Sequence, residues 1–242
     1  MKTIFVVLFL LFFFLISIPM FLVLWIIGKM NPYKKVKYSQ SIVVFVFRII
    51  LFFCGIKKTV IGTENIPKDQ PVLYVSNHRS YFDVLVGYTS VTTLTGFIAK
   101  KEIEKVPFLR VWMRNLNCLF IDRDNVRQGL KTILKGVEQV KQGYSIFISP
   151  EGTRNHGTDM LPFKEGSFKI AEKSKCPIIP VSMNNTDEAF ENHFPWIRKA
   201  HVVIEFGKPV YISELDKEDQ KFLGVYVQNI IKETLEKNAE LV

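Results

Sequence analysis

The stretch "PVLYVSNHRSYFDV", residues 71–84, decides the fold expected for this chain. Its first half is apolar as far as Ser76 and ends at an Asn-His pair, which predicts a short buried strand. Ser80 and Asp83 then stand three positions apart, the spacing of a capping box, and this predicts the start of a helix. A strand that leads directly into a helix is typical of an α/β fold.

The rest of the chain repeats this alternation. Strand-like runs lie at residues 58–62, 71–77, 96–100, 118–122, 144–149, 177–183 and 201–207, and helix-like runs at 102–115, 126–140, 166–175 and 214–238. Around the helix at 126–140, Asn125 is the predicted N-cap and Gly143 the predicted stop. The alternation predicts an α/β domain over residues 59–242, with a largely parallel sheet flanked by helices.

Residues 1–58 are predicted to form a membrane-anchoring segment of two helices. Residues 4–27 include 24 positions without a charge, and about 20 apolar residues suffice to cross a bilayer. The run at 42–56 is shorter and contains Arg48, so it favours an interfacial or re-entrant helix, with residues 28–41 as a linker. Two arrangements remain open at this point: one span plus a surface helix, or a hairpin in one leaflet.

The net charge of +9 is concentrated in this segment. Eight basic residues precede the first acidic residue, Glu64, and the chain from there on is almost neutral, with 24 basic and 23 acidic residues. Positive charge among apolar runs favours an anionic membrane surface over nucleic acid as the partner. The lysines between Lys29 and Lys37 predict a cell-membrane protein with its catalytic domain on the cytoplasmic side.

Polar clusters follow three of the predicted strands. They are Asn77-His78 with Asp83, Asp122-Arg123, and the run from Pro150 to Arg154. The carboxyl ends of parallel strands share one edge of a sheet, so these clusters predict a common site. Taken singly, each also fits a solvated ion pair or a tight turn. The sequence contains neither a GxSxG elbow nor a phosphate-binding P-loop, and no HExxH or Cys/His spacing, so no metal site is predicted.

The same clusters carry a family resemblance. In order, "NHRSYFD" (77–83), "FIDR" (120–123), "PEGTR" (150–154) and "IIPV" (178–181) resemble the four motifs of the glycerolipid acyltransferase superfamily. The likeness extends over roughly residues 57–210 and is greatest to bacterial 1-acylglycerol-3-phosphate acyltransferases of the PlsC type. Two positions depart from the pattern. Ser149 stands where Phe is common, and Asn117 stands where Gly is frequent, although Asn also tolerates a left-handed backbone.

The resemblance implies an enzyme that transfers a fatty acyl chain to the sn-2 hydroxyl of lysophosphatidic acid, giving phosphatidic acid for phospholipid synthesis. The donor would be a thioester of acyl carrier protein or coenzyme A, and no cofactor is implied. His78 would be the general base, oriented by Asp83. Residues five apart on one helix point on the order of 140° apart. The pair therefore requires His78 in the loop before the helix and Asp83 in its first turn.

Basic side chains at the strand ends would bind the acceptor phosphate. Arg154 and Arg123 offer planar, multi-donor groups for it, and Lys100 would add a point charge. The resemblance favours Lys100 over the adjacent Lys101.

The remaining motif residues, Glu151, Gly152 and Thr153, would position the substrate and the loop. Glu151 either orients Arg154 or bonds to the glycerol, and Gly152 allows close approach of the backbone to the phosphate. Two alternatives to the main interpretation remain. One is an acyltransferase for another lyso-lipid, such as a lyso-aminolipid or a lysophospholipid, and the other is a non-catalytic lipid-binding scaffold.

Overall fold

The computed structural model describes residues 1–157 and 159–242. Its strands are β1 Lys57–Ile61, β2 Leu73–Ser76, β3 Thr95–Lys100, β4 Leu119–Ile121, β5 Ser145–Ile148, β6 Ile178–Asn184 and β7 His201–Phe206. Its α-helices are α1 Lys2–Met30, α2 Pro32–Cys54, α3 Phe82–Tyr88, α4 Pro107–Asn115, α5 Val126–Lys141, α6 Lys169–Ser174, α7 Lys217–Lys221 and α8 Leu223–Lys237. Each strand-like run of the sequence is therefore a strand.

Within the described residues, the strands form one sheet in the order β1-β7-β6-β2-β5-β3-β4. All neighbours are parallel except β6 and β7, which are antiparallel. The central strand β2 pairs on both sides, with Tyr74 opposite Phe147 of β5 and Ile179 of β6. The prediction of a largely parallel sheet flanked by helices is confirmed.

The two faces of the sheet belong to different cores, and successive residues of a strand alternate between them. Tyr74 packs into the core formed with α1, α2, α3 and α4, whereas Leu73 and Val75 pack into the core formed with α5, α6 and α8. On the first face, the rings of Phe97 and Phe147 stack with their centroids 4.4 Å apart. This two-residue alternation is the pleat of a sheet that is buried on both sides.

The predicted helices at 102–115 and 214–238 differ in detail from those observed. The run 102–115 divides into a 3-10 turn, Lys101–Lys105, and α4, because Pro107 occupies the first helical position. The tail divides at Phe222 into α7 and α8. In α5 the predicted cap is present, since Asn125 Oδ1 accepts from the Gln128 N–H at 3.1 Å, and Gly143 follows the helix with φ 92°.

The N-terminal segment is a helical hairpin. α1 and α2 run antiparallel, so that Lys2 Nζ donates to the Cys54 carbonyl at 2.5 Å and the Phe5 and Phe53 rings lie 4.5 Å apart. The turn between them is confined to Asn31, whose side chain caps α2 by accepting from Lys34 N at 2.9 Å. The predicted linker at 28–41 is therefore wrong: Asn31 and the following proline are a helix-start signal, and α2 begins there.

The hairpin packs against the α/β domain. Phe13 stacks on Trp112 of α4 with 5.2 Å between centroids, and Trp112 Nε1 donates to Ser17 Oγ at 2.9 Å. Both helices are long and apolar enough to cross a membrane, which is consistent with membrane association. The predicted domain boundary between residues 58 and 59 falls within β1, and the division of the chain there stays a prediction.

Candidate active site

The predicted site lies along one edge of the sheet. Strands β2, β3, β4, β5 and β6 are mutually parallel, so their carboxyl ends all open onto this edge. Asn77, directly after β2, is buried, and its side-chain amide bonds the N–H and the carbonyl of Met183 on β6 at 2.9 Å each. These two hydrogen bonds fix the start of the loop that carries His78.

His78 and Asp83 form the predicted pair. His78 precedes α3 and Asp83 lies in its first turn, with His78 Nδ1 2.7 Å from Asp83 Oδ2. Asp83 is buried, while the His78 side chain keeps 21% of its surface exposed. When Nδ1 carries the proton that Asp83 accepts, Nε2 has the free lone pair, which makes it the nitrogen able to take a proton from an incoming hydroxyl.

The same carboxylate organises the start of the helix. Asp83 Oδ2 also accepts from the backbone N–H groups of Arg79 and Ser80, at 2.8 and 2.9 Å. Ser80 Oγ accepts from Phe82 N at 2.9 Å and not from Asp83 N, so only the Asp83 half of the predicted capping box is present. The helix itself begins two residues after Ser80. Asp83 thus combines a structural contact with its contact to the imidazole.

Glu151 also supports the backbone of this loop. The carboxylate is buried and accepts from His78 N at 2.7 Å and from Leu161 N at 2.9 Å. Burial raises the pKa of Glu151, and the bonds from the two backbone N–H groups partly oppose this shift. Glu151 therefore positions His78, whereas the alternative in which it orients Arg154 has no contact to support it among the described residues.

The neighbours of Glu151 are arranged as a tight turn. Gly152 adopts a left-handed backbone with φ 76°, and a Cβ there would lie 2.8 Å from Lys164 Nζ. The left-handed backbone explains the glycine at this position, whereas the flexible end of the Lys164 side chain could move aside. Thr153 is exposed, on the outside of this turn. Ser149, just before the motif, bonds through its hydroxyl to Ser76 Oγ at 3.0 Å.

Arg154 reaches the His78 loop. Its guanidinium lies over the ring of Tyr81, 3.7 Å from the centroid, and Nη1 donates to Glu191 Oε1 at 3.1 Å. Glu191 is also bonded by Ser80 Oγ at 2.5 Å and by Tyr81 N at 2.8 Å. The carboxylate therefore connects Arg154 with the loop between His78 and α3, and 29% of the Arg154 side chain faces solvent.

Arg79 is held by a second carboxylate from the same segment. Its Nε and Nη2 donate to Asp187 Oδ2 at 3.0 and 2.9 Å, and Nη1 donates to the Gly157 carbonyl at 2.9 Å. Each of these two acids thus holds one arginine at the loop that carries His78. Sequence reasoning missed both acids. The signal that could have found them is their position after "IIPVSMN", a strand whose carboxyl end reaches the same edge.

The other predicted phosphate ligands lie farther along the edge. Lys100 ends β3 and is paired with Glu102 at 3.2 Å, while half-buried Arg123 follows β4. Burial lowers the pKa of the Arg123 guanidinium. With neighbouring strands about 4.8 Å apart, Lys100 and Arg123 stand about 10 and 14 Å across the sheet from β2. The structure brings Arg154 to the His78 loop, whereas Lys100 and Arg123 lie farther along the same edge of the sheet.

The known proteins that match this chain agree on its family. A family model described as Acyltransferase matches residues 57–184, which is more than half of the chain. This chain belongs to the acyltransferase family. The match to the acyltransferase model contains His78, Asp83, Glu151 and Arg154, but it ends before Asp187 and Glu191.

Individual acyltransferases are similar over most of the chain. The 1-acyl-sn-glycerol-3-phosphate acyltransferase of Borreliella burgdorferi is 30% identical over 189 residues, covering 78% of this chain and 76% of the relative. The protein of the same name from Saccharomyces cerevisiae is 30% identical over 175 residues, covering 71% and 57%. The crystal structure of the 1-acyl-sn-glycerophosphate acyltransferase PlsC from Thermotoga maritima superposes with a TM-score of 0.78 at 26% identity, covering 98% of this chain and 97% of the other.

Proposed function

We propose that this acyltransferase transfers a fatty acyl chain from a thioester to the sn-2 hydroxyl of lysophosphatidic acid and releases phosphatidic acid. The observation that carries the proposal is the 2.7 Å contact between His78 Nδ1 and Asp83 Oδ2 at the edge of the sheet. The names of the relatives from two distant organisms support the choice of acceptor.

The proposed reaction needs no covalent enzyme intermediate. His78 Nε2 takes the proton of the sn-2 hydroxyl as its oxygen attacks the thioester carbonyl carbon. The Asp83 carboxylate stabilises the imidazolium that forms and keeps the ring in the tautomer required. When the tetrahedral intermediate collapses, the carbon–sulfur bond breaks and the departing sulfur takes the proton from His78. The thiol of coenzyme A or of acyl carrier protein is released, so the imidazole is ready for another cycle.

Arg154 is the proposed primary ligand of the acceptor phosphate. Its guanidinium is partly exposed and its orientation is fixed by the Tyr81 ring and by Glu191, so little freedom is lost when an anion binds. Lys100 and Arg123 would extend the positive edge. Because a lyso-aminolipid lacks the phosphate monoester, this arrangement favours lysophosphatidic acid as the acceptor.

We further propose that the hairpin holds the enzyme in one leaflet of the cell membrane, with the catalytic domain on the cytoplasmic side. α1 contacts the domain at Thr3, at Ser17 and at Phe21. These points extend over about 27 Å at 1.5 Å per residue. A helix attached along that length could cross a bilayer only by drawing the domain into the hydrocarbon. The lysines near the hairpin turn support the cytoplasmic side.

The direct test offers lysophosphatidic acid to the purified full chain in detergent, with acyl-coenzyme A and acyl carrier protein thioesters in separate reactions. Phosphatidic acid is identified by mass spectrometry, and His78→Ala is the control. Formation of phosphatidic acid by the wild type but not by the variant supports the proposal. If a lyso-aminolipid or a lysophospholipid is acylated and lysophosphatidic acid is not, the acceptor is wrong. If no acceptor is acylated, the remaining interpretation is a non-catalytic lipid-binding scaffold.

A further inference from the structure

The segment that supplies Glu191 has a second, outward-facing side. Residues 191–199 are named here the rim segment. The Glu191 side chain at its start is only 5% exposed and bonds Ser80, Tyr81 and Arg154. Within three to five residues the character reverses. Phe194 is 74% exposed and Trp196 is 53% exposed. Large aromatic side chains held in water are unfavourable unless something covers them.

The rim segment rests on the beginning of the helical hairpin. Thr3 Oγ1 donates to the Pro195 carbonyl at 3.1 Å and accepts from Ile197 N at 2.9 Å. The hairpin exposes its own apolar side chains at this end, namely Met1, Ile4, Phe52 and Phe53. Phe194 and Trp196 therefore extend the apolar surface of the hairpin onto the catalytic domain.

The charges around this surface are arranged by sign. Arg198, Lys199 and Lys57 are exposed. Two acidic residues at and just before the rim segment are already paired: Glu191 with Arg154, and Glu188 with His193 at 3.0 Å. The outward face of the rim is thus aromatic and basic, a combination that fits the headgroup region of an anionic bilayer.

We propose that the rim segment is an interfacial docking element. Phe194 and Trp196 enter the boundary between headgroups and acyl chains, and Arg198 and Lys199 contact lipid phosphates. The occupant is an anionic bilayer rather than a protein, because the patch is continuous with the hairpin. The inference rests on the proposed membrane association. Its consequence is that the segment seated in the interface also holds, through Glu191, the Arg154 side chain at the loop that carries His78.

Spin-label accessibility tests the docking directly. The three native cysteines are buried, so a new surface cysteine can be labelled selectively in the folded full chain. Labels are placed by Trp196→Cys, by Leu8→Cys on the outer face of α1, and by Val225→Cys on α8, a position 52% exposed. The protein is reconstituted in vesicles of phosphatidylcholine with phosphatidylglycerol. Accessibility to oxygen, which partitions into the bilayer, is compared with accessibility to a water-soluble nickel chelate.

The label at residue 196 should match the label at residue 8, with a high ratio of oxygen to nickel accessibility, and the label at residue 225 should be aqueous. If the label at residue 196 is as accessible to nickel as the label at residue 225, the proposed docking is overturned. The same result is expected if the patch binds a protein partner and not the bilayer. If the label at residue 8 is also aqueous, the proposed membrane association itself fails. This readout requires no catalysis, so it is independent of the proposed reaction.

Kinetics with matched variants test whether docking helps the enzyme to use an acceptor that lies in a membrane. Phe194→Ser combined with Trp196→Ser is compared with Phe222→Ser combined with Val225→Ser, a pair of similar exposure away from the hairpin. The rim pair should raise the apparent KM for a long-chain acceptor in anionic vesicles by about tenfold, since two aromatic side chains no longer enter the interface. Neither pair should change the KM for a short-chain acceptor below its critical micelle concentration. An equal change on both acceptors, or none on either, contradicts the proposed docking.

Discussion

Arg154 Nη1 lies 3.1 Å from Glu191 Oε1, so an arginine of the family motif is oriented by a carboxylate that the family match does not include. The contact changes how the role of Arg154 must be tested. If Arg154 has only a structural role, replacing Glu191, its partner in the structure, should have the same effect as replacing Arg154. Glu151 is not that partner, because it bonds the backbone of His78.

The first prediction concerns Arg154. Arg154→Ala should weaken the binding of lysophosphatidic acid by about 1.5–3 kcal/mol, which is about 10- to 150-fold in apparent KM. Arg154→Lys should recover only part of this, because an ammonium cannot make a bidentate contact. Steady-state kinetics with phosphorylated and unphosphorylated acceptors provide the measurement, and Arg127→Ala on the exposed start of α5 is the control.

Glu191→Gln decides between the two roles. If Arg154 binds phosphate, its own replacement should affect only the phosphorylated acceptor. If Arg154 merely braces the loop, Arg154→Ala and Glu191→Gln should lower turnover equally on both acceptors, and phosphate binding by Arg154 is then refuted.

The second prediction separates the two functions of Asp83. Asp83→Asn keeps an oxygen for the N–H groups of Arg79 and Ser80 but loses the charge that stabilises the imidazolium. We expect the thermal midpoint to change little and kcat to fall by up to about 10⁴-fold, the loss seen when an amide replaces the carboxylate of a catalytic triad. His78→Ala should cost ~10²–10⁴-fold or more.

Calorimetry and single-turnover kinetics on the same preparations provide the comparison. A large loss of stability with normal turnover would make Asp83 a helix cap only.

The third prediction uses the buried carboxylate of Glu151. In Glu151→Gln one of its two backbone donors, His78 N or Leu161 N, faces an NH₂ group, which should cost about 1–3 kcal/mol of unfolding free energy. Because burial raises the pKa of Glu151 above its ordinary 4.5, the folded state binds more protons than the unfolded chain just above that pH. The stability of the wild type should therefore fall as pH rises through this window, and that of Glu151→Gln should fall less.

Thermal midpoints across a pH series, with exposed Glu236→Gln as the control, provide the measurement. Identical pH dependence in the wild type and in Glu151→Gln would contradict the assignment.

The fourth prediction concerns the attachment of the hairpin. Ser17→Ala leaves Trp112 Nε1 buried without its partner and should destabilise the full chain by about 1–3 kcal/mol. Ser41→Ala is a matched control, because its hydroxyl also bonds a carbonyl four residues earlier, at 3.0 Å, but lies on an exposed face of α2. Equal thermal midpoints for the two variants in detergent would mean that the contact adds nothing.

Local patterns in the sequence were sufficient for much of this fold. The pleat of β2 and β5, the Asn125 cap and the stop at Gly143 depend on residues close together in the chain. Asn117, predicted to tolerate a left-handed backbone, has φ 57°. The relative positions of His78 and Asp83 also followed from their spacing, because a helix start fixes the geometry of residues within one turn.

What the sequence did not reveal depends on contacts between distant segments. Asp187 and Glu191 reach Arg79 and Arg154 only because β6 lies beside β2 in the sheet, and no local pattern encodes that neighbour. In α5 the apolar stripe is wider than the face that packs, so Val126, Leu130 and Leu134 are exposed although they keep helical spacing with the buried Ile133 and Val137. Periodicity predicts the helix without showing how much of it is covered.

The pairing of β1 with β7 constrains the order in which the protein can be assembled during translation. β1 follows the hairpin immediately, yet its partner begins at His201, near the end of the chain. The hairpin leaves the ribosome long before Trp112 is available to bond Ser17. Until then, the bond to the carbonyl of Phe13 within its own helix is the one that the Ser17 hydroxyl can form. The hairpin is therefore synthesised whole while β1 still lacks its partner, and this edge of the sheet closes only once β7 has been made.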